Sequence, residues 1–248
     1  MTQIWAHRGS SQDAPENTLA AFEMARQHRA DGIELDVQLS ADGVVVVCHD
    51  ETINRTSDGA GTVAELTLAQ LREHDFGHGW PDRHPIPTLA EVLDLVAPTD
   101  LRVNVELKNS IVAYPGLEQA VEDVVAGSRL ARAAAERLVY SSFNHRSLRR
   151  LAEAGTTVPL GVLHLEPLVR SWDYVAMVGA QALHPFAGSL AEDEIAQCRA
   201  RGIDVHVWTV DDPDLARQLA HAGASAVITN VPARMRPAVT EVIGAGQG

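Results

Sequence analysis

The sequence predicts an α/β fold, a TIM (β/α)8 barrel with a small insertion after the second barrel strand. Three observations carry this reading. Eight short strands alternate with helical segments, the pattern of parallel βαβ units. The 248 residues suit eight such units in a single domain over 1–248. Titratable side chains recur at the ends of the strands, where a packed core would place apolar ones. An open doubly wound sheet is the runner-up, weakened because no GxGxxG follows an early strand.

The elements follow in order. A first strand, Gln3–His7, runs into Arg8-Gly9. A helix over Thr18–Gln27 repeats Ala, Phe and Met at helical spacing. The strand Ile33–Val37 alternates Ile33, Leu35 and Val37 with Glu34 and Asp36. Beyond Gln38, only Leu39-Ser40-Ala41-Asp42-Gly43 separates it from the apolar run Val44–Val47. That gap is too short for a crossover, so the second strand returns antiparallel. Asp42-Gly43 is the hairpin turn signal. A two-residue turn pairs Asp36 with His49, and a four-residue loop pairs Glu34 with His49. Either register is expected to place His49 on the face of Glu34 and Asp36.

Residues 51–100 read as a capping insertion beside the barrel mouth, without a core of its own. It contains helical runs over Thr67–His74 and Thr88–Val96, the second opened by a Thr88/Glu91 capping box. Strands Arg102–Leu107 and Leu138–Ser142 follow, each leading to a helix, Leu117–Ala126 and Ser147–Ala154. Strands Val158–Leu163 and Ala180–His184 come next. The helices Leu190–Arg201 and Pro213–His221 end at Gly202 and Gly223, the expected residue type after a last helical turn. Strands Asp204–Thr209 and Ala226–Thr229 complete the eight.

Composition narrows the partners. Hydrophobic and charged contents of 46% and 21% are those of a globular protein. A formal net charge of −13 with no Lys/Arg cluster argues against a nucleic-acid surface and against stable association with anionic membranes. No apolar run approaches a membrane span. Cys48 and Cys198, far apart, form neither a disulfide framework nor a CxxC metal motif. The N-terminus lacks a basic stretch followed by a long apolar one. A reduced, cytoplasmic chain is the expectation.

The strand ends carry the chemistry. Glu34 and Asp36, two apart on one strand, point the same way. With Glu106 from the adjacent strand they form an oxygen-only cage suited to a hard divalent cation, Mg²⁺ or Ca²⁺. His7 and His49 are imidazoles, whose unperturbed pKa of about 6.5 lets one take a proton at neutral pH while the other gives one. Arg8 supplies a planar fork for phosphate oxygens and Lys108 a second positive charge; a structural ion pair with the carboxylates is the alternative role for both. A metal, two imidazoles and two cations around one space describe a phosphoryl-transfer site. A Schiff-base aldolase needs a desolvated Lys, whereas Lys108 sits among carboxylates. A glycosidase needs two carboxylates and no such cations.

These pieces resemble the glycerophosphodiester phosphodiesterases. The matching segments are Ala6-His7-Arg8-Gly9, Ala14-Pro15-Glu16-Asn17-Thr18, Asp31 to Val37, Asp42-Gly43, His49-Asp50, Asn54-Arg55-Thr56 and Pro87-Thr88-Leu89. They continue with Val105-Glu106-Leu107-Lys108, Trp208-Thr209-Val210 and Ile228-Thr229-Asn230, in the family's order and spacing. The resemblance implies a TIM barrel with one divalent cation on Glu34, Asp36 and Glu106. It implies His7 and His49 as the acid/base pair and Arg8 and Lys108 at the phosphate. It implies hydrolysis of a small-molecule glycerophosphodiester to glycerol 3-phosphate and an alcohol. Trp208 looks like an aromatic wall beside the glycerol, and Asn17 like the turn-former that holds the His7-Arg8 loop or caps the Thr18 helix. Lysophospholipase D-type activity and a non-catalytic barrel for phosphorylated metabolites are the alternatives. Two positions depart: Asp211 where the family often has Asn, and Asn230 where it often has Asp. Both are expected to bear on substrate contacts more than on chemistry.

Overall fold

The computed structural model describes residues 1–191 and 193–245. Eight parallel strands close on themselves: β1 (Gln3–His7), β2 (Gly32–Leu39), β4 (Arg102–Leu107), β5 (Leu138–Ser142), β6 (Leu160–His164), β7 (Ala182–Pro185), β8 (Asp204–Val207) and β9 (Ala226–Thr229). Closure is made by β1, which pairs with β9 on one side and β2 on the other. The short β3 (Val45–Val47) pairs antiparallel with the far end of β2. The TIM barrel is therefore present, with the expected hairpin attached.

Helices α1 (Leu19–Gln27), α3 (Leu89–Val96), α4 (Leu117–Gly127), the short α5 (Ala134–Arg137), α6 (His145–Ala154), α7 (Ser171–Val178), α8 (Glu194–Arg199), α9 (Pro213–His221) and α10 (Pro232–Ala245) lie between and after the strands. They cover the outward residues of each strand. Ile4, Ala6, Ile33, Leu35, Val37, Val103, Val105 and Leu107 all fall in this main buried layer. The Thr88/Glu91 capping box is present at α3. The helix cap at α1 is Thr18, which accepts from the Ala21 backbone N–H, and not Asn17.

Inward-facing residues fill the barrel floor. Trp5, Val139, Ala226 and Ile228 form a separate buried cluster that Trp208 packs on. The His206 ring stands 4.6 Å from both Trp5 and His184. Two glycines make room for these rings. A Cβ on Gly32 would lie 3.1 Å from the Trp5 ring, and one on Gly161 would lie 2.4 Å from His184 Nε2.

Two expectations change here. The hairpin register is neither of the two anticipated. Ser40 N donates to Val44 O, leaving a three-residue loop of Ala41, Asp42 and Gly43, the last with φ of 78°. This pairs Val37 with Val47 and sets Cys48, whose N–H donates to Asp36 O, opposite Asp36. His49 is thus one residue out of the expected register and leaves the ladder in a bend. The excursion 51–100 also divides. Its last part, α3, buries Leu89, Val92, Leu93 and Val96 in the main barrel layer. The remainder, including the short α2 (Leu68–Leu71), does have a core: Val46, Cys48, Ile53, Val63, Leu71, Phe76 and Ile86 pack together. Both cysteines are buried and free. Among the described residues, no helix is long and apolar enough to cross a membrane.

Candidate active site

Strand register assembles the site at the C-terminal end of the barrel, where such folds place their chemistry. His7 lies beside Glu34 across the β1–β2 pair, and Asp36 beside Glu106 across β2–β4. Neighbouring strands are about 4.8 Å apart, so four titratable groups converge. Glu34, Asp36 and Glu106 each offer an oxygen within 4.8 Å of the others, and all three are buried.

Electrostatics sort the three carboxylates. Burial, with Asp36 and Glu106 beside it, pushes Glu34 well above the usual carboxylate range. Burial and Asp36 push Glu106 up as well, against the opposing pull of Lys108. Burial would raise Asp36 too, but Arg8, Lys108 and His49 outweigh it and hold Asp36 below its ordinary value. Such a cluster wants a cation. Asp36 Oδ1 is buried with no hydrogen-bond partner, as is Arg8 Nε. The oxygen-only donor set and the orphaned Asp36 oxygen fit a hard divalent ion.

Arg8 follows β1 with φ of 56°, a left-handed conformation held by its surroundings. Its N–H donates to Glu34 Oε2 at 2.9 Å, and its carbonyl accepts from Asn17 N at 2.9 Å. Its guanidinium meets Glu16 Oε1 at 3.0 Å and lies 3.4 Å from Asp36 Oδ2. Lys108 Nζ is 3.0 Å from Glu106 Oε1 and 3.8 Å from Asp36 Oδ1. Both cations are therefore paired with carboxylates. Asn17 does hold the His7-Arg8 loop, and its Nδ2 also donates to Asp36 Oδ2 at 2.8 Å.

His7 Nε2 stands 4.0 Å from Glu34 Oε2. Burial, then the Arg8 charge, lowers the His7 pKa to about 4. His49 reaches the same mouth by another route. Gln38, buried on β2, donates through Nε2 to the carbonyls of Cys48 at 2.7 Å and Asp50 at 2.8 Å. Its Oε1 accepts from Tyr114 Oη at 2.7 Å. This side chain pins the bend that carries His49. Asp50 Oδ1 lies 2.6 Å from His49 Nδ1 and Asp50 is gripped by Arg55, which also binds Glu16. A continuous chain of ion pairs, Arg8–Glu16–Arg55–Asp50, extended by the Asp50–His49 hydrogen bond, thus joins the two imidazole loops.

His7, Arg8, Glu34, His49, Glu106 and Trp208 line one cavity, with Asn104, Phe143, Leu163 and Ile228. Asp36 and Lys108 stand behind that lining and touch it through the contacts above. Trp208 donates from Nε1 to His184 O at 2.8 Å, and its ring packs against Phe143 and Phe186. One side of the cavity is charged and the other aromatic and aliphatic.

Sequence reasoning missed Gln38 and underrated Asp211 and Asn230. Gln38 continues the inward series Glu34, Asp36, and that period of two was its only signal. The two departures reach His7: His7 Nδ1 is 2.8 Å from Asn230 Oδ1, and Asn230 Nδ2 donates to Asp211 Oδ2 at 2.6 Å.

The chain resembles known proteins over nearly its whole length. The model of the glycerophosphoryl diester phosphodiesterase family matches residues 7–234. A glycerophosphodiester phosphodiesterase of Caldanaerobacter subterraneus is 38% identical, covering 93% of this chain and 95% of that protein. One from Bacillus altitudinis is 34% identical, covering 94% and 96%. A phosphodiesterase of Oleispira antarctica, solved in complex with the product sn-glycerol-3-phosphate, superposes with a TM-score of 0.84 at 28% identity, covering 97% of each chain. With the family match running from His7 at the end of β1 through β9, the chain belongs to the glycerophosphoryl diester phosphodiesterase family.

Proposed function

We propose that this protein hydrolyses glycerophosphodiesters to sn-glycerol 3-phosphate and an alcohol, with His7 and His49 transferring the protons and one divalent cation on Glu34, Asp36 and Glu106. The observation that carries this reading is the shared cavity: two imidazoles, Arg8, and Glu34 and Glu106 of the acidic cluster line one space, with Asp36 directly behind them. Bound there, a divalent cation supplies Lewis-acid stabilisation of charge on the phosphate oxygens. Arg8, whose Nε makes no hydrogen bond though it lies 3.4 Å from Asp36 Oδ2, holds a phosphate oxygen, and Lys108 adds positive charge behind Glu106. One imidazole takes the proton of the attacking oxygen and the other protonates the leaving alkoxide. Trp208 and Phe143 wall the glycerol.

The test is release of glycerol 3-phosphate from glycerophosphoethanolamine with Mg²⁺, Ca²⁺ or EDTA. Metal-dependent release is expected. No such release across a panel of head groups overturns the reading and leaves the phosphometabolite-binding barrel. His49→Ala is expected to lower kcat at least about 100-fold; full activity in that variant removes the two-imidazole mechanism. One observation favours a second reading, lysophospholipase D-type activity on the same site. Leu165 and Phe186, just past β6 and β7, are exposed on the apolar side of the mouth. Comparing a lysolipid with glycerophosphocholine separates the two, and faster turnover of glycerophosphocholine is expected.

A further inference from the structure

We infer that Asp211 and Asn230 form a positioning pair that fixes the tautomer of His7, keeping the hydrogen on Nδ1 and leaving Nε2 as an acceptor facing the acidic cluster. The inference rests on the reading above, in which His7 transfers a proton, and adds which nitrogen is available to do so.

The argument is one of donors and acceptors. The Asp211 carboxylate lies within reach of three donors: Thr229 Oγ1 at 2.8 Å, Asn230 backbone N at 2.8 Å and Asn230 Nδ2 at 2.6 Å. A carboxylate accepts and has no hydrogen to give. The atom that Asn230 turns toward it is therefore the amide nitrogen. That choice sends the amide oxygen the other way, where it lies 2.9 Å from Ser11 Oγ and 2.8 Å from His7 Nδ1. Backbone contact holds the arrangement in place, since Gln12 N donates to Asn230 O. An amide oxygen cannot donate either, so the hydrogen in the bond to His7 sits on Nδ1. A neutral imidazole carries one ring hydrogen. Nε2, 4.0 Å from Glu34 Oε2, is left bare on the cavity side.

Isosteric exchanges test this chain of logic. In Asp211→Asn, the Asn230 N–H and the Thr229 hydroxyl keep the new amide oxygen where Oδ1 was. Its NH2 then faces Asn230, which must flip to present its own oxygen. The Asn230 nitrogen now points at His7, and the imidazole moves its hydrogen to Nε2. Adding Asn230→Asp restores an acceptor beside Nδ1 and with it the original tautomer.

The expected result is a kcat about 100-fold lower in Asp211→Asn with KM within about threefold, and recovery of most of that loss in the Asp211→Asn/Asn230→Asp double variant. Long-range ¹⁵N–¹H correlation spectra at pH 8 in Mg²⁺, with His7 signals assigned by their loss in His7→Gln, are expected to show protonated Nδ1 in the unaltered protein and in the double variant. Asp211→Asn is expected to show protonated Nε2. Unchanged kcat in Asp211→Asn, a double variant no better than the single, or protonated Nε2 in the unaltered protein overturns the inference. Failure of the underlying reading looks different: His7→Gln would keep full activity. If His7→Gln is inactive and the exchanges fail to rescue, only the role of the pair is lost.

Discussion

The imidazoles of His7 and His49 have opposite partners behind them. Nδ1 of His7 meets a neutral amide, while Nδ1 of His49 meets the Asp50 carboxylate. The bond from Arg55, together with that from His49, holds Asp50 well below the usual carboxylate range, so His49 faces a full negative charge. A charge-assisted bond is about twice as strong as a neutral one. Asp50→Asn keeps the shape and removes the charge. Its expected effect is a roughly tenfold loss of kcat with KM unchanged, which corresponds to about 1.4 kcal/mol in the transition state. Steady-state kinetics on glycerophosphoethanolamine check it, and a change confined to KM contradicts a role through His49. These partners explain why the pair His7/His49 was legible in the sequence while its asymmetry was not. Imidazoles at strand ends stand out against apolar neighbours. The amide behind His7 comes from the chain after β9, and only three-dimensional contact joins it to the ring. Asp50 adjoins His49 in sequence, but adjacency does not say that its carboxylate turns back to Nδ1.

At the scale of elements, alternation made the barrel strands readable, because each has one face under helices and the other lining the interior. The hairpin register escaped for a physical reason. A one-residue change in loop length flips every side chain, and Val44–Val47 is apolar on both faces, so the run carries no parity signal. His49 still arrives at the mouth because Gln38 and the bend, rather than the ladder, place it. Helix α7 was not anticipated either: Trp172, Tyr174 and Val175 favour strand as much as helix, and the stretch buries only Ser171, Val175 and Val178. Two substitutions test how much the elements owe to local features. Thr88→Ala removes the hydroxyl half of the α3 capping box, the acceptor of the Glu91 N–H, and is expected to cost about 1 kcal/mol in urea unfolding. Gly161→Ala sets a methyl against the His184 ring, whose Nε2 would be 2.4 Å away. Overpacking of this kind costs about 1–3 kcal/mol, and a smaller change would mean that the His184–His206 floor yields easily.

For the whole molecule, the metal site proposed on the acidic cluster links stability to metal and to pH. Burial, then Asp36, holds Glu34 and Glu106 above the ordinary carboxyl range. In the absence of a cation, the folded chain binds more protons at these two groups than the unfolded chain does. Their contribution to stability is present at low pH and is lost as pH rises through their folded values. A divalent cation reverses the sign, because it needs both groups ionised; its affinity rises with pH as protons are displaced. At pH 7.5, Mg²⁺ or Ca²⁺ at about 100 times its Kd is expected to add about 2.7 kcal/mol. In a chain of this size that corresponds to an increase in Tm of roughly 5–10 °C. The increment over an EDTA control shrinks as the pH is lowered toward 5. Glu34→Gln, which relieves the crowding of like charges, is expected to lose the increment while keeping a Tm in EDTA at least equal to that of the unaltered protein. Thermal unfolding in EDTA, Mg²⁺ and Ca²⁺ across that pH range decides the matter. An increment that grows on acidification, or that survives in Glu34→Gln, places the cation away from the three carboxylates.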